Sequence, residues 1–386
     1  MKKPELGSKF VPAEVKAHRF IELDSLRGLA ASVVVFGHFA MCWNATAWHG
    51  WVERSPVRLL FAGHEAVILF FILSGFVLSI PMSADRPPGY ALFLKKRFCR
   101  IYLPYLAAIL AAAVCDLFLY STTPTGNAWM DQTWSSRPTL GLVAGHLITF
   151  TWHSEQLNTA IWSLIVEIHI SILFPALFWV VRRAHPAVLL GICVAVSAVF
   201  PLLPHGIFLA GLTVSPTYVA MFVVGILLWI HLPEVRDFLA KIGRKGLGTM
   251  FLLALVCITA PRELNAWSVL PAWRSLPELE DYMIGAGAAG LMACAIEAGR
   301  FRSMLLHPVL VRLGALSYST YLMHPTVLFV LIRLFYGRFP FYYLLPVYLA
   351  GVYGVSELFH KFIDQPAVML GRKVGKRKKL GERAPI

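Results

Sequence analysis

Ionisable side chains inside an apolar segment are the most informative feature of this chain. Arg27 and His38 lie eleven residues apart in a run built mostly from Gly, Leu, Ala, Ser, Val and Phe. At about 100° and 1.5 Å per residue, a helix places both side chains on nearly one face, roughly 16 Å apart along its axis. Because such residues are costly in a bilayer, they indicate a functional site that faces protein or water. The pair would suit an elongated polar ligand with an anionic end.

Two further groups of polar residues lie in or beside apolar runs. Arg97 and Arg100 are three residues apart, so a helix presents both guanidinium groups on one side, which suits phosphate oxygens. Anchoring of a membrane helix by basic residues explains this pair equally well. Glu167 follows Ser163 by one helical turn, and a carboxylate there must pair, become protonated or face water. An interhelical salt bridge is the structural alternative for Glu167.

A later apolar run contains two phenols and an imidazole. Tyr318 and Tyr321 share a helix face, and His324 lies one turn after Tyr321. Pro325 has no amide hydrogen and would leave a backbone carbonyl free near His324, as happens beside sites in membrane proteins. The run at Phe70–Phe76 contains Ser and Gly, which favour close packing between helices.

The composition places these residues in a membrane protein. Hydrophobic residues make up 58% of the chain and charged residues 15%, and the mean hydropathy is +0.65. A soluble domain of 386 residues needs more polar surface than this. Because a helix needs about 20 apolar residues to cross the hydrocarbon core, we predict an all-α integral membrane protein with about ten transmembrane helices. The predicted spans are residues 23–43, 59–80, 101–120, 161–181, 187–202, 217–230, 250–260, 282–298, 313–334 and 341–362.

The distribution of basic residues predicts the orientation. With a cytoplasmic N-terminus and ten crossings, 28 of the 35 Lys and Arg residues fall on the cytoplasmic side and seven on the other. This asymmetry follows the positive-inside rule, so both termini are predicted to be cytoplasmic. It also explains the net charge of +14 without a nucleic-acid partner, and the basic tail is expected to contact anionic lipid headgroups. The predicted organisation is a cytoplasmic segment at 1–22, a transmembrane domain at 23–366 and a basic cytoplasmic tail at 367–386.

Some functions and features are not expected from the sequence. The six cysteines lie in or beside predicted spans without metal-ligand spacing, so no metal site is expected. The first twenty residues are polar and do not resemble a cleavable signal peptide. The apolar segment 140–151 is too short to cross the membrane and is expected to re-enter it or to lie at the interface. No segment is long enough for an appended soluble catalytic domain.

Taken together, these motifs resemble the acyltransferase type 3 family of polytopic membrane acyltransferases. The matching elements are Arg27 with His38, Phe-Phe-x-Leu-Ser-Gly-Phe at 70–76, Arg97-x-x-Arg100, Trp-Ser-Leu-x-x-Glu at 162–167 and Ser-Tyr-x-x-Tyr-Leu-x-His at 317–324. The closing element at 362–366 lacks the glutamate and arginine that the family often has before its proline. Ile68 stands where relatives often have an acid, and His169 with Ile170 replaces an aromatic. The departures at Ile68 and at His169 with Ile170 bear on acceptor choice rather than on reaction type.

The resemblance implies transfer of an acyl group, usually acetyl, from cytoplasmic acyl-coenzyme A to a hydroxyl of a saccharide or lipid-linked glycan. It implies a multi-pass protein of a bacterial-type inner membrane, with acyl-CoA as co-substrate and no tightly bound cofactor. Under this hypothesis, Arg27, Arg97 and Arg100 bind the phosphates of coenzyme A. His38, in the outer half of the membrane, takes the proton of the acceptor hydroxyl or carries the acyl group itself.

The remaining candidate residues have supporting roles in the same hypothesis. Glu167 would orient or stabilise the imidazole of His38, provided that the folded helices bring the two together. Residues that line the substrate path or polarise the thioester are Ser163, Tyr318, Tyr321 and His324. The alternative is a transporter or flippase whose buried His and Glu residues relay protons, although such proteins more often show paired halves or broken helices. The oligomeric state is not predicted.

Overall fold

The computed structural model describes residues 19–42, 55–149, 154–199, 210–266, 277–297, 299–338 and 340–381. Within these residues the chain forms helices joined by turns, and no β-strand occurs there. The predicted all-α class is confirmed.

We number the α-helices in chain order. They are α1 Ile21–Met41, α2 Gly63–Met82, α3 Tyr90–Arg97, α4 Leu103–Leu119, α5 Ala128–Asp131, α6 Leu140–Ile148, α7 Ser154–Leu157, α8 Ile161–Val181, α9 Pro186–Val199, α10 Ala210–Ile230, α11 Leu232–Ala266, α12 Pro277–Glu297, α13 Gly299–Leu305, α14 Pro308–Phe335, α15 Leu345–Phe359 and α16 Gln365–Gly381. Short 3₁₀-helices lie at Pro56–Phe61 and Phe341–Leu344.

Each of the ten predicted spans coincides with a helix, but not every helix is apolar enough to be counted as a crossing. Five described helical runs are long and apolar enough, and a bent pair of helices would make six. The five are Gly63–Met82, Tyr90–Leu119, Ile161–Val181, Leu232–Pro261 and Pro308–Phe335. α1 is as long as these helices, but its acidic and basic residues lower its hydropathy. Several apolar helices support a multi-pass membrane protein, while the number ten and the cytoplasmic termini stay predictions.

The central contact of the bundle joins α1 to α14. The two helices run parallel, because Gly28 meets Gly314 near their beginnings and His38 meets His324 ten residues further along each. A parallel direction is what the predicted topology requires of its first and ninth spans.

Glycine allows the central helices to approach more closely than a side chain would permit. A Cβ on Gly28 would lie 2.4 Å from the backbone nitrogen of Gly314. A Cβ on Gly75 would lie 2.3 Å from the carbonyl oxygen of Phe222 on α10. Both distances are far shorter than a van der Waals contact, so the prediction of close packing at the Ser-Gly pair of α2 is confirmed.

Two π-helical turns interrupt the helices and are joined by an ion pair. Phe98–Tyr102 connects α3 to α4, and His360–Asp364 connects α15 to α16. Arg100 of the first turn lies 2.8 Å from the carboxylate of Asp364 in the second. Such turns change the face that a helix presents and often occur at functional sites. Arg97 and Arg100 precede the predicted span 101–120, and the structure places them inside one continuous helical run, Tyr90–Leu119.

Two segments expected outside the predicted membrane spans are helical. α11 begins at Leu232, bends at Gly243 (φ 62°) and continues to Ala266, well beyond the predicted span 250–260. α16 packs against α3 and the first π turn, and a Cβ on Gly371 would lie 3.2 Å from the Cβ of Cys99. The first half of the predicted tail therefore belongs to the bundle. α6 has nine residues, too few to cross a membrane, in agreement with the prediction for 140–151.

Gly28→Ala tests the contact between α1 and α14. The added methyl group would force two backbones apart, so we expect the free energy of unfolding to fall by about 1–3 kcal/mol. Thermal melting of the detergent-purified protein measures the change. Gly191→Ala on α9 is the matched control, because nothing lies within 4 Å of a Cβ there. Equal melting temperatures for Gly28→Ala and the wild type would contradict the close contact.

Candidate active site

A cavity of about 780 Å³ lies between α1, α2, α3, α8, α14 and α16. Its lining includes seven of the residues predicted from the sequence, namely Arg27, Arg97, Arg100, Ser163, Glu167, Tyr318 and Tyr321. The other two predicted residues, His38 and His324, are not among the described lining residues. The structure thus brings the predicted site together in two adjacent parts.

Arg27, Arg97 and Arg100 are the inner arginines of the cavity, and each is paired with a carboxylate. The pairs, measured from nitrogen to oxygen, are Arg97–Glu167 at 2.6 Å, Arg100–Asp364 at 2.8 Å and Arg27–Asp24 at 3.1 Å. An unpaired charge inside a membrane bundle is expensive, and pairing reduces that cost. The cavity is therefore rich in charge but largely compensated.

Glu167 has partners other than the one predicted. Its Oε1 accepts hydrogen bonds from Arg97 and from the hydroxyl of Ser74, at 2.6 and 3.1 Å. The interhelical salt bridge considered as the structural alternative is confirmed. His38 lies on α1 beyond the closed end of the cavity, so the expected contact between Glu167 and its imidazole is not formed in this structure.

Arg27 connects α1 to α14, and Tyr318 connects α14 to the first π turn, which carries Arg100. The Nε of Arg27 donates to the hydroxyl of Ser317 on α14 at 2.9 Å. The ring centroid of Tyr318 lies 5.4 Å from the guanidinium carbon of Arg100, and its hydroxyl donates to the carbonyl of Ile101 at 2.8 Å. The two contacts of Tyr318 hold the first π turn against α14.

The two predicted catalytic histidines are bonded to each other. Nδ1 of His38 lies 2.8 Å from Nε2 of His324, and Nδ1 of His324 lies 3.1 Å from the carbonyl of Thr320. A carbonyl only accepts hydrogen bonds, so with both rings neutral His324 carries its proton on Nδ1 and accepts at Nε2. His38 must then donate from Nδ1. This assignment leaves Nε2 of His38 with a free lone pair, which is the requirement for a general base.

The end of α1 that carries His38 is covered by the loop before α6. The ring of Trp129 lies 5.5 Å from that of His38, and His38 is half-buried. The side-chain amide of Asn127 donates to the carbonyl of the last residue of α1 at 2.8 Å. Hydrogen bonds from the amide and hydroxyl of Thr125 hold the pKa of Asp131 below its ordinary value. The loop is thus tied both to itself and to α1.

One layer of side chains, formed by Phe70, Ser163 and Tyr321, separates the cavity from the histidine pair. The hydroxyl of Tyr321 donates to the carbonyl of Ala160 at 3.0 Å and shares a 2.6 Å hydrogen bond with Ser163. The Phe70 ring packs edge-on against Tyr321, with centroids 5.5 Å apart. The ring of His324 lies 5.8 Å from that of Tyr321. The substrate path predicted from the sequence is therefore closed at this Tyr321 layer.

His360 lines the cavity, although the sequence patterns did not single it out. Nδ1 of His360 lies 2.8 Å from Oδ2 of Asp364, and the side-chain amide of Gln365 lies 3.0 Å from Nε2 of His360. The amide donates to Nε2, so His360 carries its proton on Nδ1. Nδ1 donates a hydrogen bond to the carboxylate of Asp364, which also binds Arg100. The only signal in the sequence was the four-residue spacing of His360 and Asp364 on one helix face.

The family model described as "Acyltransferase domain", acyltransferase 3, matches residues 20–359. The chain belongs to this family. The match covers every helix from α1 to α15, including Arg27, Arg97 and Arg100 of the cavity and the histidine pair. The cavity residues Arg19, Asp364 and Arg372 lie outside it. Family membership confirms the resemblance inferred from the motifs and favours an acyltransferase over the transporter alternative.

The acyltransferase is also similar to two curated proteins. It is 27% identical over 343 residues to "Acyltransferase MdmB" of Streptomyces mycarofaciens, covering 83% of this chain and 81% of that protein. It is 37% identical over 107 residues to "Protein 2 in picA locus" of Rhizobium radiobacter, covering 26% of this chain and 48% of that protein. No solved structure matches.

A double-mutant cycle on Arg97 and Glu167 tests whether the pair compensates itself. Each single change to Gln leaves a partly buried charge facing an amide, so each should lose more stability than the double variant. We expect a coupling energy of about 0.5–3 kcal/mol from melting of the purified proteins. The exposed pair of Arg312 and Glu357 is the control, with an expected coupling of about 0–1 kcal/mol. Strictly additive losses at Arg97 and Glu167 would contradict the pairing.

Proposed function

We propose that this acyltransferase moves an acyl group, by preference acetyl, from acyl-coenzyme A to a hydroxyl of a saccharide or lipid-linked glycan. One observation carries the proposal: only the Tyr321 layer separates an arginine-lined cavity from the histidine pair, whose nearer ring lies 5.8 Å from that of Tyr321. The cavity can bind an anionic donor, and the pair can accept a proton.

The size and donors of the cavity support an acyl-CoA donor. A volume of about 780 Å³ lies within the usual range for ligand sites of about 300–1,000 Å³. An arginine has five N–H donors, and the ion pairs use only some of them. The buried Nε of Arg97 has no hydrogen-bond partner among the described residues. In this proposal Arg27, Arg97 and Arg100 direct their remaining N–H groups to the donor.

The histidine pair supplies the proton transfer. Nε2 of His38 takes the proton of the acceptor hydroxyl as its oxygen forms a bond to the thioester carbonyl carbon. The carbon–sulfur bond then breaks, and the proton passes from His38 to the leaving thiolate, giving an ester and free coenzyme A. His324 keeps His38 in the required tautomer. An acyl group carried on His38 before transfer is the second route, in which a carbon–nitrogen bond replaces the carbon–sulfur bond first.

The Tyr321 layer must open once per turnover in either route. The thioester reaches His38 when Tyr321 leaves its hydrogen bonds to Ser163 and Ala160. The acceptor approaches from the other end of the bundle, where His38 is half-buried beside the loop before α6.

We place the protein in a bacterial-type inner membrane, with the cavity facing the cytoplasm and the basic part of α16 against anionic lipid headgroups. Neither a nucleic acid nor a tightly bound cofactor takes part.

His38→Ala tests the proposed base. We expect transfer of label from radiolabelled acetyl-coenzyme A to fall by about 10²–10⁴-fold, because the hydroxyl loses its proton acceptor. His185→Ala, at an exposed histidine between α8 and α9, should leave transfer unchanged. Wild-type protein quenched in detergent at neutral pH shows whether label is bound to the chain, which separates the two routes, because an acyl-imidazole would hydrolyse in acid. Full activity of His38→Ala would refute the mechanism.

Arg97→Gln and Arg100→Gln test the donor site. Loss of a charge-assisted hydrogen bond should raise the donor KM by about tenfold in each variant, with a smaller effect on kcat. The matched control is Lys96→Gln, an exposed neighbour outside the cavity lining. Melting temperatures identify loss caused by unfolding. An unchanged donor KM in folded variants would make the two arginines membrane anchors only.

A further inference from the structure

The charges that line the cavity do not balance. The described lining residues include five arginines and three carboxylates, which leaves a surplus of two positive charges. The pairs of Arg97 with Glu167 and of Arg100 with Asp364 are each neutral. The surplus therefore lies elsewhere in the cavity.

The surplus is located at the cavity mouth. Asp24 is shared by two arginines, Arg19 at 2.7 Å and Arg27 at 3.1 Å, so this group keeps one positive charge. Arg372 on α16 also lines the cavity, and no ion pair is found for it among the described residues. Arg372 is exposed, and the Arg19 side chain is 74% exposed, which places both at the solvent end.

Arg372 is held in place although it follows the predicted domain boundary. Its neighbour Gly371 is buried, and a Cβ there would lie 3.2 Å from the Cβ of Cys99. This contact fastens α16 to the π turn that carries Arg100. Arg372 is therefore part of the cavity wall rather than of a separate tail.

We propose that Arg19 and Arg372 form a phosphate-binding site that holds the nucleotide end of the donor at the cavity mouth, an inference that rests on the proposed function. In acyl-coenzyme A the thioester and the phosphates are at opposite ends. The thioester must lie at the Tyr321 layer, near His38, so the phosphates extend toward the mouth. The deeper carboxylates repel phosphate, whereas the mouth carries the uncompensated charge and two guanidinium groups suited to phosphate oxygens.

Two donors that differ in their phosphates test this site. S-acetyl-pantetheine carries the same thioester as acetyl-coenzyme A but no phosphate. For Arg19→Gln and Arg372→Gln, we expect the KM for acetyl-coenzyme A to rise about tenfold more than the KM for S-acetyl-pantetheine. The matched control is Lys373→Gln, the exposed neighbour of Arg372 outside the cavity lining, which should change neither KM selectively.

Nanodiscs of two compositions separate binding of donor phosphate from binding of anionic lipid headgroups. The donor-selective effect of the two substitutions should persist in discs of phosphatidylcholine alone as well as in discs with phosphatidylglycerol. If it disappears in phosphatidylcholine alone, the arginines bind lipid headgroups and the inference is overturned. Equal KM changes for the two donors, or the same selective change in Lys373→Gln, would also overturn it.

Binding of free coenzyme A by calorimetry keeps this test separate from the proposed function. If the wild type transfers acetyl from neither donor, the proposed function fails, and calorimetry alone then decides the phosphate site. Weaker coenzyme A binding in Arg372→Gln than in Lys373→Gln would support the site. Equal binding in the two variants would overturn it.

Discussion

The close parallel contact between α1 and α14 is the constraint on which the rest of the structure depends. It requires glycine on both helices, because backbone atoms occupy the space of a side chain at Gly28 and Gly314. Once the helices touch there, their register is set. Arg27 then reaches α14 at the cavity, and three turns later His38 reaches His324. One steric contact therefore positions both Arg27 at the cavity and the histidine pair.

The cavity shows how a membrane protein can hold many charges between its helices. Each inner guanidinium is compensated by a carboxylate, which lets the bundle fold with these groups inside. Compensation also weakens the attraction for phosphate in the deep part of the cavity. The uncompensated positive charge is left at the mouth, where Arg19 and Arg372 are exposed. Two π turns support this arrangement, because they bring Arg100 and Asp364 to face each other.

Sequence patterns predicted the helices and most of the site residues, because hydrophobic runs and intramembrane polar residues are local signals. The interaction partners of those residues could not be predicted from local patterns. Glu167 pairs with Arg97 rather than His38, since the choice depends on how α8 and α3 meet. The docking of α16 through Gly371 and the π turns also arise from contacts between distant parts of the chain. The basic composition of residues 367–386 predicted a tail. The packing of Gly371 against Cys99 instead fixes the first part of this segment in the bundle.

The Tyr321 layer has a consequence for the cell as well as for the reaction. A water-filled route from one face of the membrane to the other would conduct protons and dissipate the transmembrane potential, which stores about 2.3 kcal/mol per elementary charge at 100 mV. Phe70 and the hydrogen-bonded Tyr321 close the bundle between transfers. The closed layer therefore keeps the bundle electrically insulating even though a charged cavity lies on one side of it.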